Sequence, residues 1–194
     1  MYTLTVTDPD KLFLISDTHL GHFNICKYCN RPFSSRSEMD NALIDNWNSV
    51  VPEDGIVVHC GDFMLPHNQD IKEYMHYLNR LNGRVLLLRG NHDRAELGWT
   101  NDKLINVMDM AMIQVDGVKI FAQHYPCLTF NGNMHAYGHI HTLSDGTCYG
   151  IDGDVASKMR SNTYDVGVDH NDYKPISYWE LCRKMREQAK ICNI

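Results

Sequence analysis

The chain has 194 residues and a formal net charge of −6, from 18 Lys and Arg against 24 Asp and Glu. This length fits one domain spanning residues 1–194, and such a domain buries roughly 70% of its unfolded surface, enough for a core without disulfide staples. The acidic balance disfavours a broad grip on duplex nucleic acid, which rests on Lys and Arg neutralising phosphates, yet it leaves room for a small phosphorylated substrate drawn by metal charge.

No apolar run approaches the ~20 residues of a membrane span. Met1–Thr5 lacks the basic start and apolar core of a signal peptide. A cytoplasmic protein with no membrane contact is the expectation, and no feature specifies an oligomeric state. The seven cysteines are scattered, and Cys26/Cys29 is the lone C-x-x-C. Without a second pair or histidines at ligand spacing, reduced thiols are expected rather than a structural zinc.

In chain order, alternating element types argue for an α/β fold. Tyr2–Thr7 and Lys11–Ser16 read as strands, paired as a hairpin across Asp8-Pro9-Asp10. Ser37–Val51 reads as a helix, with Met39, Leu43, Asn46/Trp47 and Val50 at helical spacing and Ser37 as its cap. Ile56–Cys60 is the next strand. Gln69–Leu81 reads as a helix stopped by Asn82-Gly83. Arg84–Leu88 is a buried-type strand, and Asp93–Val107 reads as loop with short helix. Met110–Val115 and Val118–Gln123 flank Asp116-Gly117, a strong hairpin signal. Met134–His141 and Tyr164–Asp169 read as strands. Leu143–Asn162 is a long loop near the site. Ser177-Tyr-Trp-Glu180 is a capping box that opens a terminal helix to about Lys190. Trp47 and Trp179 read as core anchors, and His67, His76, His135 and His170 as solvent-facing, with His135 sharing parity with His139.

Five short clusters follow the apolar runs: Asp17-Thr18-His19, Gly61-Asp62, Gly90-Asn91-His92-Asp93, His124-Tyr125-Pro126 and Gly138-His139-Ile140-His141. α/β sheets bind ligands at the carboxyl ends of their strands, so the clusters can converge. Asp17, His19, Asp62, Asn91, His124, His139 and His141 offer the oxygen and imidazole donors that two divalent cations need. In extended backbone, residues i and i+2 share a face, which would let Asp17 and His19, or His139 and His141, reach one cation together. Gly61, Gly90 and Gly138 permit close backbone approach. Singly each cluster is weak; their conjunction is the signal.

The set resembles the calcineurin-like metallophosphoesterase family, whose pattern is D-x-H, G-D, G-N-H-D/E, H and G-H-x-H. Asp17-Thr-His-Leu-Gly-His22, Arg31-Pro-Phe33 and Val166-Gly-Val-Asp169 are similar to its small bacterial and phage branch. The resemblance implies two stacked mixed β-sheets flanked by helices, a four-layer α/β/β/α sandwich. It implies one metal on Asp17, His19, Asp62 and His141, and a second on Asp62, Asn91, His124 and His139, with Asp62 bridging. The activity implied is a dinuclear metal-dependent phosphoesterase that cleaves P–O ester bonds by attack of a bridging hydroxide.

His92 and Asp62 are the candidate catalytic residues. His92 would protonate the leaving oxygen or bind the phosphate, with Asp93 behind it or capping a helix over Arg94–Leu97. His22, Arg31, Asn91 and His92 are candidate substrate contacts, and Asn24 and Tyr125 are further open positions. Arg89 reads as a strand-end salt bridge and His59 as packing. A phosphodiesterase acting on small or nucleotide-type substrates is favoured. Phosphomonoesterase, protein phosphatase, nuclease and a non-catalytic scaffold of the same fold are the alternatives. Phe63-Met-Leu-Pro66 after Gly61-Asp62 departs from the protein-phosphatase D-R-G stretch, and no basic stripe marks a nuclease. Mn2+ is the favoured metal, with Fe, Zn2+, Ni2+ and Co2+ also compatible with the donors.

Overall fold

The computed structural model describes residues 1–65, 70–143, 146–148 and 159–191. Among the described residues, ten strands form two five-stranded sheets. The strands are β1 (Tyr2–Val6), β2 (Leu12–Ile15), β3 (Ile56–His59), β4 (Arg84–Leu88), β5 (Leu104–Met108), β6 (Met110–Val115), β7 (Val118–Gln123), β8 (Met134–Tyr137), β9 (Thr163–Asp165) and β10 (Ile176–Ser177). One sheet has the order β1-β6-β7-β8-β9 and the other β10-β2-β3-β4-β5. Both are mixed: β2, β3, β4 and β5 run parallel with β10 antiparallel, and only β6–β7 is antiparallel in the first sheet. The architecture is two mixed sheets with flanking helices.

Residues alternate between faces along each strand, and the burial pattern shows both faces of the second sheet covered. Phe13, Ile15, Val57, Val85 and Leu87 face one core with helix α2 (Arg36–Val50) and helix α3 (Ile71–Leu78). Leu12, Leu14, Val58, Leu86 and Leu88 face the other core, with Ala111, Ile113, Ile120 and Ala122 of the first sheet. Burial on two sides explains the unbroken Leu12-Phe-Leu-Ile15 and Val85-Leu-Leu-Leu88 runs. Each fully buried Leu or Ile contributes roughly 1.5–3 kcal/mol. The other α-helices among the described residues are α1 (Ile25–Tyr28) and α4 (Tyr178–Ile191). Helix α4 packs on β9 and β10, where an edge strand of each sheet ends.

The Asp116-Gly117 turn joins β6 and β7 as expected, with φ of 49° and 72° at the two turn residues, the backbone of a type I′ turn. Ser177 caps the terminal helix as expected, its Oγ accepting from Glu180 N at 3.2 Å. Other expectations are corrected. Tyr2–Thr7 and Lys11–Ser16 form no hairpin: β1 pairs in parallel with β6, and β2 belongs to the other sheet. Pro9–Lys11 is a single 3-10 turn that carries the chain between sheets. Helix α2 begins at Arg36, with Ser35 rather than Ser37 as its cap; Ser35 Oγ accepts from Glu38 N at 3.1 Å. Helix α3 is shorter than expected and starts after Asp70, which caps it. Asp93–Val107 holds no helix among the described residues and supplies part of β5 instead. Met134–His141 stops being strand at Tyr137, and Tyr164–Asp169 becomes a 3-10 turn at Val168. His67 and most of the Leu143–Asn162 loop lie outside the described residues. No described helix is long and apolar enough to cross a membrane.

Candidate metal centre

Five strands deliver the expected side chains from their carboxyl ends. β2 leads to Asp17 and His19, β3 to Asp62, β4 to Asn91, β7 to His124, and β8 to His139 and His141. The backbone there is not extended. Asp17, His19, Asp62, His139 and His141 have φ of 58°, 50°, 54°, 73° and 45°. The i, i+2 strand argument is therefore corrected: paired left-handed residues, not a pleat, turn these side chains inward. Such conformations cost on the order of 1–3 kcal/mol each and persist only where the surroundings hold them.

The hold is visible. Asp17 N donates to Gly61 O and His19 N to Asp62 O, both at 2.9 Å. His139 N donates to Asp17 Oδ2 at 3.0 Å. At Gly138 an added Cβ would lie 2.0 Å from Ser16 Oγ and 2.3 Å from Asp17 Oδ2. At Gly90 it would lie 2.1 Å from Asp62 Oδ1. The carboxylates sit where only glycine backbone leaves space.

All seven side chains meet in one cleft. Asp17, His19 and His141 offer donor atoms within 4.8 Å of one another, and so do Asp17, Asp62 and His124. Asp62 Oδ2 lies 3.5 Å from His19 Nε2 and 3.6 Å from His124 Nε2, so it stands between the two groups. His124 Nε2 is 3.0 Å from Asn91 Oδ1 and 3.1 Å from His139 Nδ1. His141 Nε2 is 3.7 Å from Asp17 Oδ1. The His92 ring centroid is 5.4 Å from that of His19, and its backbone N donates to Asp62 Oδ1 at 2.9 Å.

His19 tests whether cations fit. It is 1% exposed, and neither ring nitrogen has a hydrogen-bond partner. A buried imidazole left this way is costly unless a ligand takes its lone pair. Burial pushes the Asp17 and Asp62 carboxyls up, against their charged forms. Burial, then the neighbouring charge of His124, pushes His139 down to about 4, and burial pushes His19 well below the usual imidazole value. Burial opposes a charge on His141, but the Asp17 and Asp169 carboxyls outweigh it and push that ring up to about 11. The neutral His19 and His139 rings and the carboxylates short of counter-charge are what two divalent cations would satisfy.

The surroundings correct several other expectations. Asp93 neither caps a helix nor backs the His92 ring. It accepts from the N–H groups of Asp62 (2.7 Å), Gly90 (2.9 Å) and Phe63 (3.1 Å) and from Tyr74 OH (3.1 Å), so it braces the turn that carries Asp62. Arg31 is not a surface contact for phosphate; it is buried, and Nε donates to Asp169 Oδ1 at 2.7 Å. His135 is buried rather than solvent-facing, with Phe121 O and Cys127 N as partners. Trp179 is 45% exposed and donates to Asp10, so it is no core anchor, whereas Trp47 is one. Arg89 does make its salt bridge, to Asp109 at 2.7 Å. His59 packs between Trp47 and Phe63 and bonds Thr18 Oγ1 at 2.9 Å.

His22 lies half-buried beside His19 and His92, with Nδ1 unbonded. Tyr125 is 47% exposed with its ring 4.6 Å from that of His139, and Asn24 is exposed at the start of α1. Cys26 and Cys29 are free, buried thiols. Cys29, His141 and Asp169 also hold donor atoms within 4.8 Å. The Arg31 guanidinium already neutralises Asp169, so a third cation would meet a fixed positive charge there. Asp169 and Asp165 were missed as site residues. Asp165 accepts from Thr142 N, Thr142 Oγ1 and Gly167 N, and so links the loops after β8 and β9. Asp165 is the last residue of β9 and Asp169 lies in the 3-10 turn that follows, and only Asp169 has an apolar lead-in, Val166-Gly-Val168, as a sequence signal.

Residues 11–153 match the calcineurin-like phosphoesterase superfamily domain. Uncharacterized protein MJ1445 of Methanocaldococcus jannaschii is 35% identical over 184 residues, covering 93% of this chain and 94% of the relative. The crystal structure of AQ665 from Aquifex aeolicus, a protein of unknown function, is similar with a TM-score of 0.65 at 25% identity, over 89% of this chain and 97% of that one. Metal-dependent phosphoester hydrolysis is the activity this kinship supports. By its match over most of its length, the chain belongs to the calcineurin-like phosphoesterase superfamily.

Proposed function

We propose that the cleft holds two divalent cations and that the protein is a phosphodiesterase acting on small or nucleotide-type substrates in the cytoplasm, with Mn2+ as its working metal. The observation that carries the reading is His19, an imidazole with both ring nitrogens buried and unbonded amid six other oxygen and nitrogen donors. Asp17, His19 and His141 would hold one cation, and Asn91, His124 and His139 the other. Asp62 would be shared between them. When bound, the cations supply a polarised water as nucleophile and positive charge for the phosphoryl oxygens.

The chain does the rest. Asn91 offers a neutral amide oxygen, so the donor set leaves excess positive charge facing an anionic substrate. Asp93 fixes the Asp62 turn through three N–H groups. The backbone of His92 is tied to Asp62, which sets its ring beside His19 and His22. A diester departs as a poor alkoxide, and a proton from His92 assists that departure. Burial pushes His92 down, and an incoming phosphate anion would favour its protonated form. Phe63 and Met64 after Asp62 are buried, which speaks against the polar substrate face of a protein phosphatase.

The test is hydrolysis of bis-p-nitrophenyl phosphate against p-nitrophenyl phosphate with Mn2+, followed by cyclic nucleotides and dinucleotides. Faster turnover of the diester is expected. Preference for the monoester would overturn the diesterase reading. No turnover with Mn2+, Fe2+, Co2+, Ni2+ or Zn2+ would overturn the enzyme.

A further inference from the structure

Arg31 and Asp169 lie 138 residues apart and form a buried pair beside the cleft. Arg31 Nε donates to Asp169 Oδ1 at 2.7 Å, and Nη2 donates to Oδ2 at 3.2 Å. Nη2 also donates to the Asp17 carbonyl at 2.7 Å, and Nη1 to the Thr18 carbonyl at 3.0 Å. The remaining Nη1 contact is Met39 Sδ at 3.9 Å. A guanidinium has five N–H donors in a rigid fork, and these contacts engage all of them. None is left for a phosphate.

Asp169 carries the chain of contacts one step further. Its Oδ2 is 2.7 Å from His141 Nδ1. A carboxylate can only accept there, so Nδ1 carries a ring proton, and Nε2 is the ring position left to face a cation. That Nε2 is the atom 3.7 Å from Asp17 Oδ1. The same arginine thus touches both sides of one group of donors. Through Asp169 it reaches the His141 ring, and through two carbonyls it reaches the left-handed Asp17-Thr18-His19 backbone.

We propose that Arg31 and Asp169 are positioning residues for the cation held by Asp17, His19 and His141. Asp169 fixes the His141 tautomer and ring direction, and Arg31 locks Asp169 to the Asp17–Thr18 backbone. The proposal rests on the two-cation reading of the cleft. Lysine cannot replace the arginine, because a point charge cannot span two carboxylate oxygens and two carbonyls. Asn91, His124 and His139 make none of these contacts with Arg31 or Asp169, so the other cation would depend on them only indirectly, through Asp17 and the shared Asp62.

The experiment is calorimetric titration with Zn2+ alone of metal-stripped wild type, Asp169→Asn and Arg31→Lys. Two uptake steps are expected for wild type. In both variants one step weakens roughly 10- to 100-fold, the usual effect of losing a partner that orients a ligating histidine, and the other step stays in place. Two unchanged steps in Asp169→Asn, or equal weakening of both, would overturn the proposal. Wild type that takes up no zinc would overturn the two-cation reading and this proposal with it. Nitrogen-15 NMR of histidine-labelled wild type needs no variant: His141 protonated on Nδ1 is expected, and a neutral ring protonated on Nε2 alone would overturn it.

Discussion

Asp17, His19 and His141 are 0%, 1% and 7% exposed, whereas Asn91 is exposed and His139 half-buried. The first group is walled in by Arg31, Asp169, His59 and the glycine-lined strand ends. The second borders the mouth of the cleft, with Tyr125 against His139. Only His124 of that group is deeply buried, where its Nδ1 lies 2.9 Å from Cys60 O. A donor group locked on every side and one open on a flank divide the labour of a binuclear cleft. On the proposed two-cation reading, the closed side would hold its ion in fixed geometry and the open side would leave room for an arriving phosphate.

Removing what the two sides share should have the largest effect. Asp62→Asn is expected to lose both cations by elemental analysis and to cut turnover on the order of 1,000-fold or more. Retention of two ions would break the shared role. His92→Ala belongs to neither side. It should keep both ions and slow diesters with poor leaving groups by roughly 100- to 10,000-fold, while substrates with good leaving groups suffer less. Equal losses on both substrate types would separate His92 from proton transfer.

The contrast itself is tested by pairing His139→Ala with His19→Ala. Each should weaken one uptake step by at least roughly 10-fold, but only His19→Ala should also change the thermal stability of the metal-free protein, because its ring is fully buried. Indistinguishable melting curves would erase the difference between a packed and an open side.

The smallest effect is acid sensitivity of the closed side. Burial pushes His59 down to about 3, against an unfolded value near 6.5. Its contribution is fully present above pH ~6.5. Below that, the unfolded chain binds a proton the folded one refuses, and stability falls by about 1.4 kcal/mol per pH unit. From pH 6.5 to 5 the loss is roughly 2 kcal/mol. Denaturant midpoints across this range should show His59→Gln flattening the slope by one proton. An unchanged slope would assign the acid sensitivity to other groups.

The motif clusters were legible because every one of them follows an apolar run, and strand ends are where such sheets bind ligands. The β6–β7 hairpin was legible because Asp116-Gly117 is a local signal. The β1–β6 pairing was not, because its partners lie about a hundred residues apart and parallel pairing leaves no turn signature. β5 was hidden by mixed burial, with Ile105, Asn106 and Met108 only partly covered. The left-handed ligand residues escaped because non-glycine side chains at positive φ are set by tertiary contacts, here Gly61 O and Asp62 O accepting from Asp17 and His19. Arg31 was misread for a related reason. Its five donors are satisfied by groups drawn from residues 17, 18, 39 and 169, which no window of sequence brings together.

The distance between Arg31 and Asp169 along the chain also has a bearing on biosynthesis. A nascent polypeptide leaving the ribosome exposes Asp17, His19 and Asp62 long before His139 and His141 emerge, and Asp169 follows later still. Until then the early donors face one another without their late partners. On the two-cation reading, metal loading would therefore wait until residue 141 has emerged, and a chain cut short between residues 141 and 169 would carry all seven donors but lack the clamp on its last histidine.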